Sequence, residues 1–186
     1  MLNHSFDCSD TYAIVAIVKA DRIRTITAFV IKMTYHRGSV GPVAIVISAQ
    51  PLTGEQAHWV TRTINAFNVL QSDGGVVHFT IVESAYQRRD DEVAALQNLL
   101  GAPLSHEIVL ACKRNSQMAH RKLAQLSIRL ARQFGGVVDL TDTIDDLSRA
   151  HTITGWTTDG KPFNYHVTTP EWLESWLGHP RFRMAT

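Results

Sequence analysis

Cysteine, catalytic signatures and net charge are all scarce in this chain, and each shortage removes a class of function. Cysteine occurs twice in 186 residues, at Cys8 and Cys112, with no Cys-x-x-Cys pair. That excludes a disulfide framework and the paired thiols of a zinc or redox site. Two reduced thiols in a cytoplasmic protein are the expectation. The formal net charge is +1. Near-neutrality argues against broad electrostatic capture of nucleic acid or an anionic membrane, and against an acidic mimic of nucleic acid. A local charged patch stays open. The apolar run Tyr12–Val18 is followed at once by Lys19, Asp21, Arg22 and Arg24. A membrane span needs about 20 apolar residues, so this run is too short. The leader carries Asp7 and Asp10, which does not suit a secretory signal.

Motifs for chemistry are equally sparse. None of the nine histidines forms His-Glu-x-x-His or His-x-His. No Gly-x-Ser-x-Gly elbow exists. The acidic run Asp139, Asp142, Asp145, Asp146 lacks the central Gly and terminal Glu of an EF-hand loop. No metal, no cofactor and no catalytic residue are expected.

What the chain does contain is a repeated pattern. Gly41-Pro-Val-Ala-Ile-Val-Ile leads through a helical stretch to Gly74-Gly75-Val76-Val77-His78. His106-Glu-Ile-Val-Leu-Ala leads through another to Gly135-Gly136-Val137-Val138-Asp139. Each reads as strand, helix, Gly-Gly, strand. Two successive units predict an α+β fold on a ferredoxin-like split β-α-β core, with both crossover helices on one face. Both Gly-Gly pairs precede strands, so they are helix stops and not phosphate cradles, which precede helices.

Strands are expected at Val43–Ser48, Val76–Val82, Ile108–Cys112 and Val137–Leu140. Thr53-x-x-Gln56 has the form of a capping box before a helix carrying Val60, Ile64 and Phe67. A short helix is expected at Glu92–Leu100. Leu123, Leu126, Leu130 and Phe134 form an apolar stripe, with Arg121, Lys122, Arg129 and Arg132 mostly off it. Asp142–Arg149 is read as one or two helical turns. A hairpin around Asp159-Gly160 joins His151–Thr157 to Phe163–Thr168. A last helix starts at Thr169-Pro170-Glu171. Residues 33–186 are taken as one α+β domain with this C-terminal hairpin and helix. Residues 1–32 are an added arm, an extra β-hairpin or the product of a start codon placed too far upstream.

Candidate sites divide into chemistry and contact. His78 and His106 sit on expected strands, where either is a conceivable general base. The basic helix face from Arg121 to Arg132 is a conceivable phosphate contact, and otherwise a solvated face. Trp156, Trp172 and Trp176 come late in the chain. They either anchor an interface or staple the last helix onto the hairpin.

The order of Gly41-Pro42-Val43-Ala44, helix, Gly135-Gly136-Val137-Val138-Asp139, hairpin and Trp176-Leu-Gly-His-Pro-Arg-Phe-Arg-Met184 resembles a group of small bacterial proteins. That group is similar to the immunity proteins encoded beside polymorphic and contact-dependent toxins. The resemblance covers roughly Met33 to the end, and the closing His-Pro-x-Phe-Arg-Met is its best signature. It implies a cytoplasmic protein that binds and neutralises a cognate toxin by direct contact, without catalysis of its own. The expected contacts are Asp142, Asp145 and Asp146, facing basic toxin residues, and Trp156. A small α+β enzyme, or a nucleic-acid or ligand-binding module, is the alternative. The oligomeric state and the identity of the toxin are left open.

Overall fold

In the computed structural model, the described residues are 41–70, 75–83, 88–144, 150–157 and 160–184. The arm at 1–32 lies outside them, as do residues 145–149 of the helical turns expected over Asp142–Arg149; the described part of that stretch, 142–144, is not helical. Among the described residues are six strands and four helices. They run β1 Val43–Ser48, α1 Gly54–Leu70, β2 Val77–Glu83, α2 Asp90–Leu100, β3 His106–Cys112, α3 Gln117–Phe134, β4 Val137–Asp139, β5 His151–Trp156, β6 Pro162–Thr168 and α4 Pro170–Leu177. The strands form one sheet in the order β2-β3-β1-β4-β6-β5, antiparallel at every pair.

The β4-β1-β3-β2 portion is the expected split β-α-β core. β1 and β3 are its central pair, in register from Val43 opposite Ala111 to Ser48 opposite His106. The hairpin extends the same sheet past β4, with Val138 opposite Thr168. One helix, α2, is inserted between β2 and β3.

Local chemistry sets the helix ends. Thr53 N–H donates to Gln56 Oε1 at 2.8 Å, and Gln56 N–H donates back to Thr53 Oγ1 at 3.2 Å, which completes the capping box. Ser116 and Thr169 cap α3 and α4 in the same sense, and Pro170 occupies the first turn, where no N–H is missed. Gly135 closes α3 at φ 59°, a left-handed conformation that glycine adopts without a Cβ penalty. The next residue, Gly136, is needed for a different reason. A Cβ there would lie 2.2 Å from the Ile47 carbonyl oxygen, so only glycine lets β4 start against β1.

Strand alternation sends side chains to two faces. On one, Ala44, Val46, Ile108, Leu110 and Val138 meet Val60 and Ile64 of α1, Leu123, Leu126, Leu130 and Phe134 of α3, and Leu173 and Trp176 of α4. Phe182 and Met184 of the closing tail are buried in that core too. On the other face, Ile47, Val137, Ile153, Tyr165 and Val167 meet Leu96 of α2.

Lys122 departs from the expected solvated face. It is fully buried, with Nζ donating to the Gly75 carbonyl and lying 6.0 Å from the Phe67 ring. The cause is helical spacing: Lys122 falls one turn from buried Leu126. The late tryptophans do not staple α4 onto the hairpin either. Trp172 stacks with Trp176, and Trp176 with His179 at 4.4 Å, against α3 and the tail.

Candidate functional site

The α2 face holds a cluster of charge that no stretch of sequence displays. Arg88 lies just before α2, and its guanidinium reaches four groups. Nε donates to Glu107 Oε1 of β3 at 2.7 Å. Nη1 donates to Glu92 Oε1 of α2 and to Tyr165 Oη of β6, the latter at 2.7 Å. Nη2 donates to Asp139 Oδ2 of β4 at 3.2 Å. The Tyr165 hydroxyl donates to Glu92 Oε1 at 2.7 Å. Glu92, Glu107 and Asp139 are 6%, 8% and 3% exposed. One cation therefore serves three buried carboxyl groups.

Such a cluster is costly unless its groups satisfy one another. Asp139 has a second donor, the Thr141 N–H at 2.6 Å from Oδ1. Thr141 takes φ 62° to provide it, a conformation β-branched residues rarely adopt. Burial still pushes the Asp139 carboxyl up to about 6, with Arg88 and the Thr141 N–H pulling the other way. Burial likewise drives the Tyr165 hydroxyl far above its ordinary range, against the pull of Arg88. Arg88 is held firmly protonated, because the attraction of Glu107 and Asp139 outweighs its own desolvation. The cluster ties α2, β3, β4 and β6 together.

Arg89, next in sequence, turns outward. Its guanidinium lies 3.9 Å from the centroid of the Trp156 ring, a close cation–π contact. No carboxylate pairs with Arg89 among the described residues. Trp156 is half-buried, and its indole Nε1 has no hydrogen-bond partner among the described residues. The surface contact therefore begins one residue from the buried cluster.

The residues expected to form a contact surface are only partly gathered. Asp142 is exposed, and its Oδ1 accepts from Thr143 N–H at 2.7 Å. Asp145 and Asp146 lie outside the described residues. Asp142 and Trp156 are at different levels of the hairpin. The Asp142 carbonyl accepts from His166 N–H, and His166 sits opposite Thr152. Trp156 is four residues further along β5, about 13 Å at strand rise. Asp139, read in the sequence as part of one acidic run with Asp142, points inward instead.

The other candidates separate as well. His78 sits opposite Ala111, and His106 opposite Glu83. Five residues of β3 separate those positions, so the two imidazoles do not converge on one cleft. His106 is occupied locally, with Nδ1 3.3 Å from Leu52 N and 2.9 Å from Ser105 Oγ. On the basic helix face, Arg132 pairs with Glu174 at 2.6 Å, and Arg129 lies over Trp59. Among the described residues, no group of three or more His, Cys, Asp or Glu side chains is placed to hold a metal ion. No described helix is long and apolar enough to cross a membrane.

The fold and this surface define an α+β sheet protein with a buried charge cluster and an Arg–Trp contact beside it. Residues 43–186 match a family of unknown function (DUF6368). The match spans most of the chain, and the chain belongs to that family. No curated protein and no solved structure matches it.

Proposed function

We propose that this is an immunity-type protein that binds a cognate bacterial toxin and blocks it by direct contact. The observation that carries the reading is the Arg89–Trp156 stack. Trp and Arg are enriched among the residues that anchor protein interfaces, Trp for its large rigid contact area and Arg for the planar fork that pairs with carboxylates. An Arg already ordered by an aromatic ring, with no carboxylate partner among the described residues, can take one from a partner at little further cost in ordering. Exposed Asp142, with Asp145 and Asp146, adds acidic contacts for toxin Lys or Arg. The closing His179-Pro-Arg-Phe-Arg-Met184 motif, through the resemblance it carries, supports a toxin as the partner's class. Near-neutral net charge leaves affinity to shape and a few anchors.

The test is co-expression with the toxin encoded beside the gene. Protection of the cells and a complex in size-exclusion chromatography are expected. Trp156→Ala should weaken that complex by about 2 kcal/mol or more, roughly thirtyfold. Absence of both protection and complex overturns the reading. Protection with unchanged affinity in Trp156→Ala, Asp142→Ala, Asp145→Ala and Asp146→Ala keeps the function and removes these contacts.

A further inference from the structure

The two terminal strands of the sheet are finished differently. β2 closes itself in part: Asn68 of α1 accepts from Val77 N–H at 2.9 Å and donates to the Val77 carbonyl at 3.0 Å. That amide occupies the place of a neighbouring strand. β5 has no such cover among the described residues. It reads His-Thr-Ile-Thr-Gly-Trp, with no charged side chain and no proline, and it pairs with β6 without a bulge from His151 to Trp156. Lysine, proline and bulges are the usual guards of an edge.

The direction of its free groups follows from the hairpin. Thr157 N–H donates to the Lys161 carbonyl at 2.9 Å, so the odd-numbered residues of β5 bond to β6. Thr152, Thr154 and Trp156 therefore turn their N–H and C=O groups away from the sheet. A groove of about 390 Å³ runs beside this edge, lined by Ala95, Asn98 and Leu99 of α2 and by His151, Thr152 and Ile153. Arg89 over Trp156 lies at the far end of the strand from that groove. From Arg89 to Asn98 is about 13 Å of helix, and from Trp156 to Thr152 about 13 Å of strand. Helix and edge thus run side by side over one length.

We propose that β5 is a docking edge that takes an extended segment of another protein as a seventh strand. This rests on the protein-binding reading above and names how the partner binds. Backbone groups of the segment pair with Thr152, Thr154 and Trp156. One apolar side chain enters the groove at Ala95, Leu99 and Ile153. A carboxylate four residues away, on the same side of the segment, meets Arg89. Arg89, which has no carboxylate partner among the described residues, selects an acidic residue there.

The test displays a library of short random peptides to the full chain. Enriched peptides should share an apolar and an acidic residue four positions apart. The synthetic form of the strongest should lose about tenfold in affinity or more against Thr152→Pro, which removes an outward N–H without touching the β6 ladder. Arg89→Glu should weaken the same peptide, and replacing its acidic residue with Lys should restore binding to that variant. If Thr152→Pro does not fold, the charge swap decides. Absence of enrichment, or peptides indifferent to both variants, overturns the proposal. So does self-association that Thr152→Pro abolishes, since the occupant is then a second copy. The display uses no toxin. Peptide binding without cell protection removes the immunity reading alone, whereas protection retained by both variants removes the edge site alone.

Discussion

On one face of the sheet, α1, α3, α4 and the closing tail bury a broad apolar core. On the other, α2 contributes one fully buried apolar side chain, Leu96, and is held as much by Arg88 and its carboxylates. The first face gains stability from area, at about 25 cal/mol per Å² removed from water. The second depends on geometry, because buried charges are tolerated only while each has its partner. Each face also contains a buried titratable group, and these respond to acid in opposite senses. His120 anchors the tail: its Nδ1 accepts from Met184 N–H at 3.0 Å, so Nε2–H donates to Asn115 Oδ1 at 2.9 Å. The comparison teaches that α2 is the element most exposed to loss of a single side chain.

The sharpest way to break the comparison is Arg88→Leu. Removing the one cation leaves Glu92, Glu107 and Asp139 buried without a countercharge, and about 3–5 kcal/mol should be lost in urea unfolding. Amide exchange should rise first in α2. If α2 stays protected while the whole molecule weakens evenly, the cluster is not its anchor. Leu96→Ala should cost about 2–4 kcal/mol through lost burial and the cavity left behind. An equal truncation on the other face, Leu126→Ala, should leave α2 exchange slow.

The pH profiles separate the faces further. The Asp139 carboxyl is raised, so the native state holds its proton more tightly than the unfolded chain does. Its contribution is greatest below about 4 and falls as pH rises to about 6. The change is on the order of 3 kcal/mol at about 1.4 kcal/mol per unit. Asp139→Asn should flatten that slope in denaturant midpoints measured across the window. His120 is shifted the other way, lowered by burial and by Arg183, while the bond from Met184 N–H opposes the shift. Its stabilisation is complete above about 6.5 and is lost as pH falls through the lowered value. His120→Asn keeps an acceptor near Met184 N–H. It should cost only about 1 kcal/mol and abolish the acid-side loss. A variant that retains the slope would place that loss elsewhere.

Much of this architecture is legible along the chain because its signals are short-range. The Thr53–Gln56 box, the Gly135 stop, the Pro170 start and the β-branched runs act within a few residues of themselves. The duplicated strand–helix–strand pattern was enough to place β1 beside β3. The charge cluster was not legible, since its members stand at 88, 92, 107, 139 and 165 and only the strand order brings them together. Asp139 shows the difficulty. In sequence it belongs with Asp142, but strand alternation and the neighbouring β6 turn it inward. Trp156 stands out in the sequence by its residue type, whereas nothing in the sequence around its partner Arg89 distinguishes it.

Local propensity and hydrophobic period, properties of near neighbours, determined where the helices and strands lie, how most of them end and which side chains form the main core. Which charges are buried, which face α2 covers and which strands end the sheet among the described residues depend on residues far apart in the chain. Those were decided only when the sheet order set their distances, because burial and pairing energies exist only between groups in contact.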